Sequence, residues 1–192
     1  MAKVVIKPVS AGELDGLSGI YSIINAVKFL FPKDSIDDQK LFNFLIDKVE
    51  EKNNPKLSTL LKDNISKQNL TYLINQTISG FSLTKEKDIE LVTNDKKSLD
   101  TKKIDTAVKE LKEFLLDESN KARRAVLLYI SGKANKWICL SDIKDKSLVF
   151  HDNVTKSINI SDLHITEDSK KAKDDSYYIY FKNIILLEAK RG

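Results

Sequence analysis

The chain is poor in cysteine, histidine, arginine and proline. Its 192 residues include one cysteine, Cys139, and two histidines, His151 and His164. A lone cysteine excludes an intramolecular disulfide and a cysteine-rich metal site. Two histidines add little from which to assemble a zinc cage, so no metal or cofactor is expected. Such thiol usage fits a reducing compartment. No apolar run approaches the ~18 residues of a membrane span, and the opening MAKVVIKPVS lacks the apolar stretch of a secretory signal. The expectation is a cytoplasmic protein with no membrane role.

Arginine is scarce as well. Only Arg123, Arg124 and Arg191 contribute to the 32 basic residues, and the lysines are interspersed with 28 acidic residues to leave a formal net charge of +4. Nucleic-acid binders usually gather Arg and Lys on one face, often with aromatics. The only clusters worth testing are Arg123–Arg124 and Lys170, Lys171 and Lys173, so nucleic acid is not the expected partner.

What is present is 41% hydrophobic residues, enough for a substantial core. Lys3 to Ile6 suggest a short strand. After Ser18, the spacing of Ile20, Ile23, Ile24, Val27, Leu30 and Phe31 predicts an amphipathic helix that Pro32 ends. A second helix is expected in SIDDQKLFNFLIDKVEEK, with Leu41, Phe42, Leu45, Ile46 and Val49 on one face. Two shorter ones follow in NPKLSTLLKDNIS and NLTYLINQTIS, with a break at 66–69 and a stop at Gly80. KDIELVT reads as a strand. DTKKIDTAVKELKEFLLDES reads as a helix with Asp100 or Thr101 as cap and a stripe of Ile104, Val108, Leu111 and Leu115. Beyond Asn120 the segments RRAVLLYIS, KWICLSDI, SLVFHD, KSINI and SYYIYFKNIILLEAK are β-branched or aromatic and divided by turn signals. A bend is expected at Lys182–Asn183, a charged loop at 167–176, and a loop position for His164. The expectation is an α+β fold in one domain, 1–192, with a helical part over about 1–120 and an antiparallel sheet over about 121–192.

The entrance to the first helix, DGLSGIYSIINAVKFL, carries the chemistry. A helix N-terminus offers unpaired N–H groups and a partial positive charge, which stabilise a thiolate or an oxyanion. Gly16 and Gly19 would let a substrate backbone approach closely. The plainer reading makes Ser18 an N-cap, for which serine is a preferred residue.

These residues resemble the nucleophile helix of papain-like cysteine peptidases, in particular the small bacterial C39-like branch. The pattern there is Asp-Gly/Cys-x-Cys-Gly-x-Tyr-Ser-x-x-Asn-Ala before an apolar helix. Asp15, Gly16, Gly19, Tyr21, Ser22, Asn25 and Ala26 fit it, and Ser18 stands at the cysteine position. The resemblance implies a papain-like fold, a helical lobe packed on a C-terminal antiparallel sheet. It also implies a histidine on a sheet strand, followed by Trp, and an acid at the end of the next strand. In NKWICLSDIKDKSLVFHDN, Trp137 and Asp152 stand at the tryptophan and acid positions, while Lys136 stands where the histidine belongs. The family's glutamine upstream of the nucleophile has no counterpart in KPVSAGELDG.

Nucleophile, base and oxyanion side chain are thus all replaced. A serine in place of a cysteine needs a strong, oriented base. Lys136, with an ordinary pKa of about 10.4, would be held protonated by Asp152. An ion pair is the expected product of that geometry. His151, next to Asp152 in a strand, would face the other way if Asp152 faced the cleft.

The expected function is therefore a non-catalytic, papain-like protein-binding module. An inhibitor or immunity protein of a bacterial toxin is one such role. Its cleft would be lined by Asp15, Gly16, Gly19, Tyr21, Trp137, His151 and Asn153 around the family-equivalent positions Ser18, Lys136 and Asp152. The alternatives are a C39-like cysteine peptidase carrying a Cys-to-Ser change at Ser18, and a Ser-Lys hydrolase that uses Ser18 and Lys136.

Overall fold

The computed structural model describes residues 15–32, 36–52, 56–61, 63–81, 89–94, 103–116, 123–166 and 175–191. The strand expected at 3–6, the caps Asp100 and Thr101, and Lys170, Lys171 and Lys173 lie outside the described residues.

Helices α1 (Ser18–Leu30), α2 (Asp38–Lys52), α3 (Leu57–Leu60) and α4 (Lys67–Gly80) come first. Strand β1 (Ile89–Asn94) and helix α5 (Ile104–Leu116) follow. The remainder is β: β2 (Arg123–Gly132), β3 (Lys136–Lys144), β4 (Ser147–Phe150), β5 (Ser157–Asn159), β6 (Leu163–Ile165) and β7 (Tyr177–Arg191). The fold is α+β, but the expected division near residue 120 is not clean: β1, within the part expected to be helical, pairs with β7 and joins the sheet.

The sheet order is β1-β7-β2-β3-β4-β5, and every pairing along it is antiparallel. β6 adds to it by pairing parallel with residues 177–179 of β7. His164 therefore lies in a strand, where a loop was expected. LHI is too short to show alternation, and only the free edge of β7 makes it a strand. The bend expected at Lys182–Asn183 falls where β7 loses register with β2, between Leu128↔Ile184 and Ile130↔Ile179.

The run AVLLYI in β2 is apolar without alternation, as a strand covered on both faces must be. Ala125 and Leu127 join the core built on α1, α2 and α4, together with Trp137, Cys139, Ile185 and Leu187. Val126, Leu128 and Ile130 join the opposite core with Ile138, Leu140, Ile184 and α5's Ala107, Val108 and Leu111. The sheet is thus a middle layer, with α1 to α4 on one face and α5 on the other.

Arg123 and Arg124 follow the same alternation. Arg123 donates to the Phe29 carbonyl in the last turn of α1 at 2.7 Å. Arg124 donates to the Phe114 carbonyl near the end of α5 at 3.0 Å and pairs with Glu188 at 3.4 Å. Each cation meets the negative end of the helix on its own face. The pair is split across the sheet by the strand's two-residue period and does not form one basic patch.

Candidate functional site

The 3-10 turn Asp15–Leu17 leads directly into α1, whose N-cap position is Leu17 and whose first helical residue is Ser18. Ser18 caps nothing: α1 has no side-chain cap hydrogen bond. Its hydroxyl instead faces the sheet, where it accepts from the Trp137 amide at 3.1 Å and donates to Asn64 Oδ1 at 3.1 Å. Position 18 and the start of β3 therefore meet, as the resemblance implied. The N-cap reading of Ser18 fails because the turn before α1 places the serine one residue too far into the helix.

The orientation of the Asn64 amide is set by its other partners. Its Nδ2 donates to the Asn135 carbonyl at 3.0 Å, and a carbonyl can only accept. Nδ2 also donates to the Tyr129 hydroxyl at 3.1 Å, and that hydroxyl donates to Asn135 Oδ1 at 2.8 Å. The Oδ1 of Asn64 must then face Ser18, so every proton in the chain Trp137 → Ser18 → Asn64 → Tyr129 → Asn135 has an assigned direction. Asn135 closes the β2–β3 turn with φ of 44°, a left-handed conformation that asparagine tolerates.

Lys136 belongs to a separate, adjoining cluster. Its ammonium lies 3.3 Å from Asp152 Oδ1, and the two side chains are only 13% and 14% exposed. The same oxygen accepts from the amides of Val154 and Thr155 at 2.8 and 2.7 Å. The carboxylate is committed to a turn and a cation, and the expected ion pair is present. A protonated lysine held by a carboxylate does not accept a proton from a hydroxyl.

β4 ends at Phe150, so His151 and Asp152 lie just beyond the strand in which they were expected, and strand alternation does not govern them; they nevertheless take different partners. The His151 amide donates to the Cys139 carbonyl, and its ring packs on Phe29 of α1 with centroids 5.6 Å apart. Its Nε2 is buried and has no hydrogen-bond partner. Burial, with Lys28 and Lys156 nearby, lowers its pKa below the usual imidazole value, and Asp152 opposes the shift weakly. The ring is therefore neutral at pH 7. The Cys139 thiol is fully buried, and burial, aided by the Asp152 charge, pushes it far above the ordinary thiol range. It is no nucleophile.

The other candidate residues divide between interior and surface. Trp137 is 2% exposed, with its indole N–H on the Ile65 carbonyl at 2.8 Å. It is a core side chain and not an exposed anchor. Gly16 and Gly19 are buried, and half-buried Tyr21 packs on Phe42. Asp15 sits in the 3-10 turn, and Asn153 is exposed beside Val154. Sequence reasoning missed Asn64, Tyr129 and Asn135. Asn64 lies 46 residues from Ser18 in a polar connection between two short helices, and nothing in its local pattern marks it. Asn135 carried a weak turn signal between two β segments.

Among the described residues, no group of three or more His, Cys, Asp or Glu could hold a metal ion, and no helix is long and apolar enough to cross a membrane. Comparison with protein-family models, with curated proteins and with solved structures finds no match.

Proposed function

We propose that this chain is a non-catalytic, papain-like module of the C39-like type that binds another protein. The observation that carries the reading is the fate of the Ser18 proton. It is donated to an amide oxygen, which takes up no proton near neutral pH, while the ammonium of Lys136 is bound to Asp152. In support, residue 18 lies at a helix entrance against the strand that starts at Lys136, and Asp152 follows the next strand, an order like the one that the resemblance implies. The arrangement lacks a proton acceptor for turnover. Exposed Asn153 and Val154, the latter 72% exposed, and exposed Leu61 offer contact surface near these positions. An inhibitor or immunity protein acting on a toxin is the role within this class that suits a small, lysine-rich chain.

Two measurements test the reading. With Ser18→Cys, alkylation of residue 18 by iodoacetamide is followed against pH. A thiol helped only by the helix N-terminus, without a partner base, keeps its midpoint above about 7, whereas a peptidase site gives one well below that value. The second result would establish the alternative, a peptidase with cysteine at position 18. Affinity isolation from native lysate should then recover one partner at equal stoichiometry with the wild type and lose it with Val154→Glu. Absence of any stoichiometric partner would reject the binding role.

A further inference from the structure

We propose that the turn from His151 to Lys156, between β4 and β5, is a pH-operated latch, closed while the neutral His151 ring packs on Phe29 and released in acid as the ring takes up a proton. The turn is built as one body. Across its base the Phe150 amide donates to the Lys156 carbonyl at 2.9 Å. Inside it, Asp152 Oδ1 accepts from the amides of Val154 and Thr155, and the Lys156 ammonium donates to the Asp152 carbonyl at 2.7 Å. His151 and Asp152 tie this body to its surroundings. The His151 amide donates to the Cys139 carbonyl at 2.9 Å, its ring lies against Phe29, and Asp152 meets Lys136. These attachments lie toward the surface: His151, Asp152 and Phe29 are half-buried, and Asn153 and Val154 are exposed. On either side of the turn, Phe150 and Ile158 are buried in the core on the α5 face. Release of the turn therefore leaves β4 and β5 in place.

The weak point of the closed turn is the imidazole. Its Nε2 is buried and, among the described residues, has no hydrogen-bond partner. A neutral ring can leave one nitrogen bare, but an imidazolium carries a proton on both. The N–H at Nε2 would then meet no acceptor, and a buried charge without a partner is far more costly than a bare lone pair. The charges around the ring add to this. Lys28 of α1 and Lys156 of the turn repel a cation there, and Arg123 of β2 lies over the same Phe29 ring at 5.7 Å. Asp38 of α2 is bound to Lys28, Asp152 is bound to Lys136, and Cys139 of β3 is a neutral thiol. Burial and the two lysines thus hold the ring neutral in the closed turn, against a weaker pull from Asp152. Release puts the ring in water, where it takes its proton at the ordinary value of about 6.5. Below that value, falling pH favours the open turn, and the surface formed by Asn153 and Val154 changes with it.

Native-state hydrogen exchange on the free protein tests the latch without reference to any partner. With rates corrected for intrinsic pH dependence, the amides of His151, Val154 and Thr155 should exchange through an opening that low urea does not promote. The β2 core amides should exchange through one that it does. From pH 7.5 to 5.5 the population of the turn's opening should rise about tenfold. The rise should vanish in His151→Phe, and equally in His151→Gln, which is neutral at both pH values and adds no apolar ring. Exchange of the turn amides only through the urea-sensitive opening of β2 would overturn the inference, since the turn would then belong to the cooperative core. A rise of less than about twofold in the parent would also overturn it. So would an undiminished rise in both variants, which would assign the effect to another group. Isolation of a partner can fail while this latch stands, and the latch can fail while a partner binds.

Discussion

At the scale of single residues, this protein shows how a side chain's partners decide its chemistry. Ser18, Lys136 and Asp152 stand at positions that resemble a catalytic set, yet each is satisfied by a group that removes it from proton transfer. Beside them, His151 has a buried ring nitrogen that is left unsatisfied. Burial with two nearby lysines favours the neutral ring. In the unfolded chain the imidazole takes up its proton near its ordinary pKa of about 6.5. The folded-state value is lower, so the unfolded state binds more protons as pH falls below that point. The stability this neutral ring contributes is complete above about pH 6.5 and is lost as pH falls from there through the lowered value. His151→Phe should remove that part of the acid sensitivity and, by deleting an unpaired buried nitrogen beside Phe29, raise stability at pH 5.5 by about 1 kcal/mol. Urea titrations of both proteins at pH 7.5 and 5.5 check this: an equal loss in each would show that His151 does not titrate differently on folding. The identity of these residues and the Lys136–Asp152 pairing were anticipated from the sequence, but the partner of Ser18 was not. Asn64 and Ser18 are 46 positions apart, and only the folded chain brings them together.

At the scale of elements, most of the helices and strands follow from local pattern. The apolar spacing of α1, α2 and α5 and the β-branched segments after Asn120 were sufficient to place them. The exceptions have clear causes. β6 exists because part of β7's edge is free to pair with it. The start of α1 is fixed by the turn Asp15–Leu17 and not by a serine cap. That turn packs so tightly that glycine is required at its centre. Gly16→Ala would drive a methyl group into the Leu60 carbonyl, a backbone atom that can move only by shifting α3. The expected cost is about 2–3 kcal/mol, in the upper range for overpacking. Gly19→Ala meets the Cγ2 methyl of buried Ile65, a side-chain atom that can turn about χ1 without moving backbone, and should cost less than Gly16→Ala. Chemical denaturation of the two variants gives the order, and equal or smaller loss for Gly16→Ala would refute the backbone contact.

For the whole molecule, the decisive feature is a sheet buried on both faces. Adjacent residues of β2 serve different cores: Leu127 lies on the α1 side, and Val126 and Leu128 lie on the α5 side. Loss of either helix layer strips one face of the same strands, so the two cores should unfold together. Leu111→Ala, on α5 and fully buried, should cost about 2–5 kcal/mol. Trp137 lies in the opposite core. Its fluorescence should nevertheless shift in midpoint by the same amount as far-ultraviolet circular dichroism. Separate transitions would show two independent units. From the sequence alone one obtains the α+β class and the main elements, which follow from local periodicity. The meeting of residue 18 with the strand that begins at Lys136 is what the resemblance to the papain-like nucleophile helix implied. Only tertiary structure decided that Arg123 and Arg124 part to opposite faces, that Trp137 is interior, and that the Ser18 hydroxyl bonds to Asn64. Those outcomes depend on which distant segments share a surface, and short-range spacing carries no record of long-range contact.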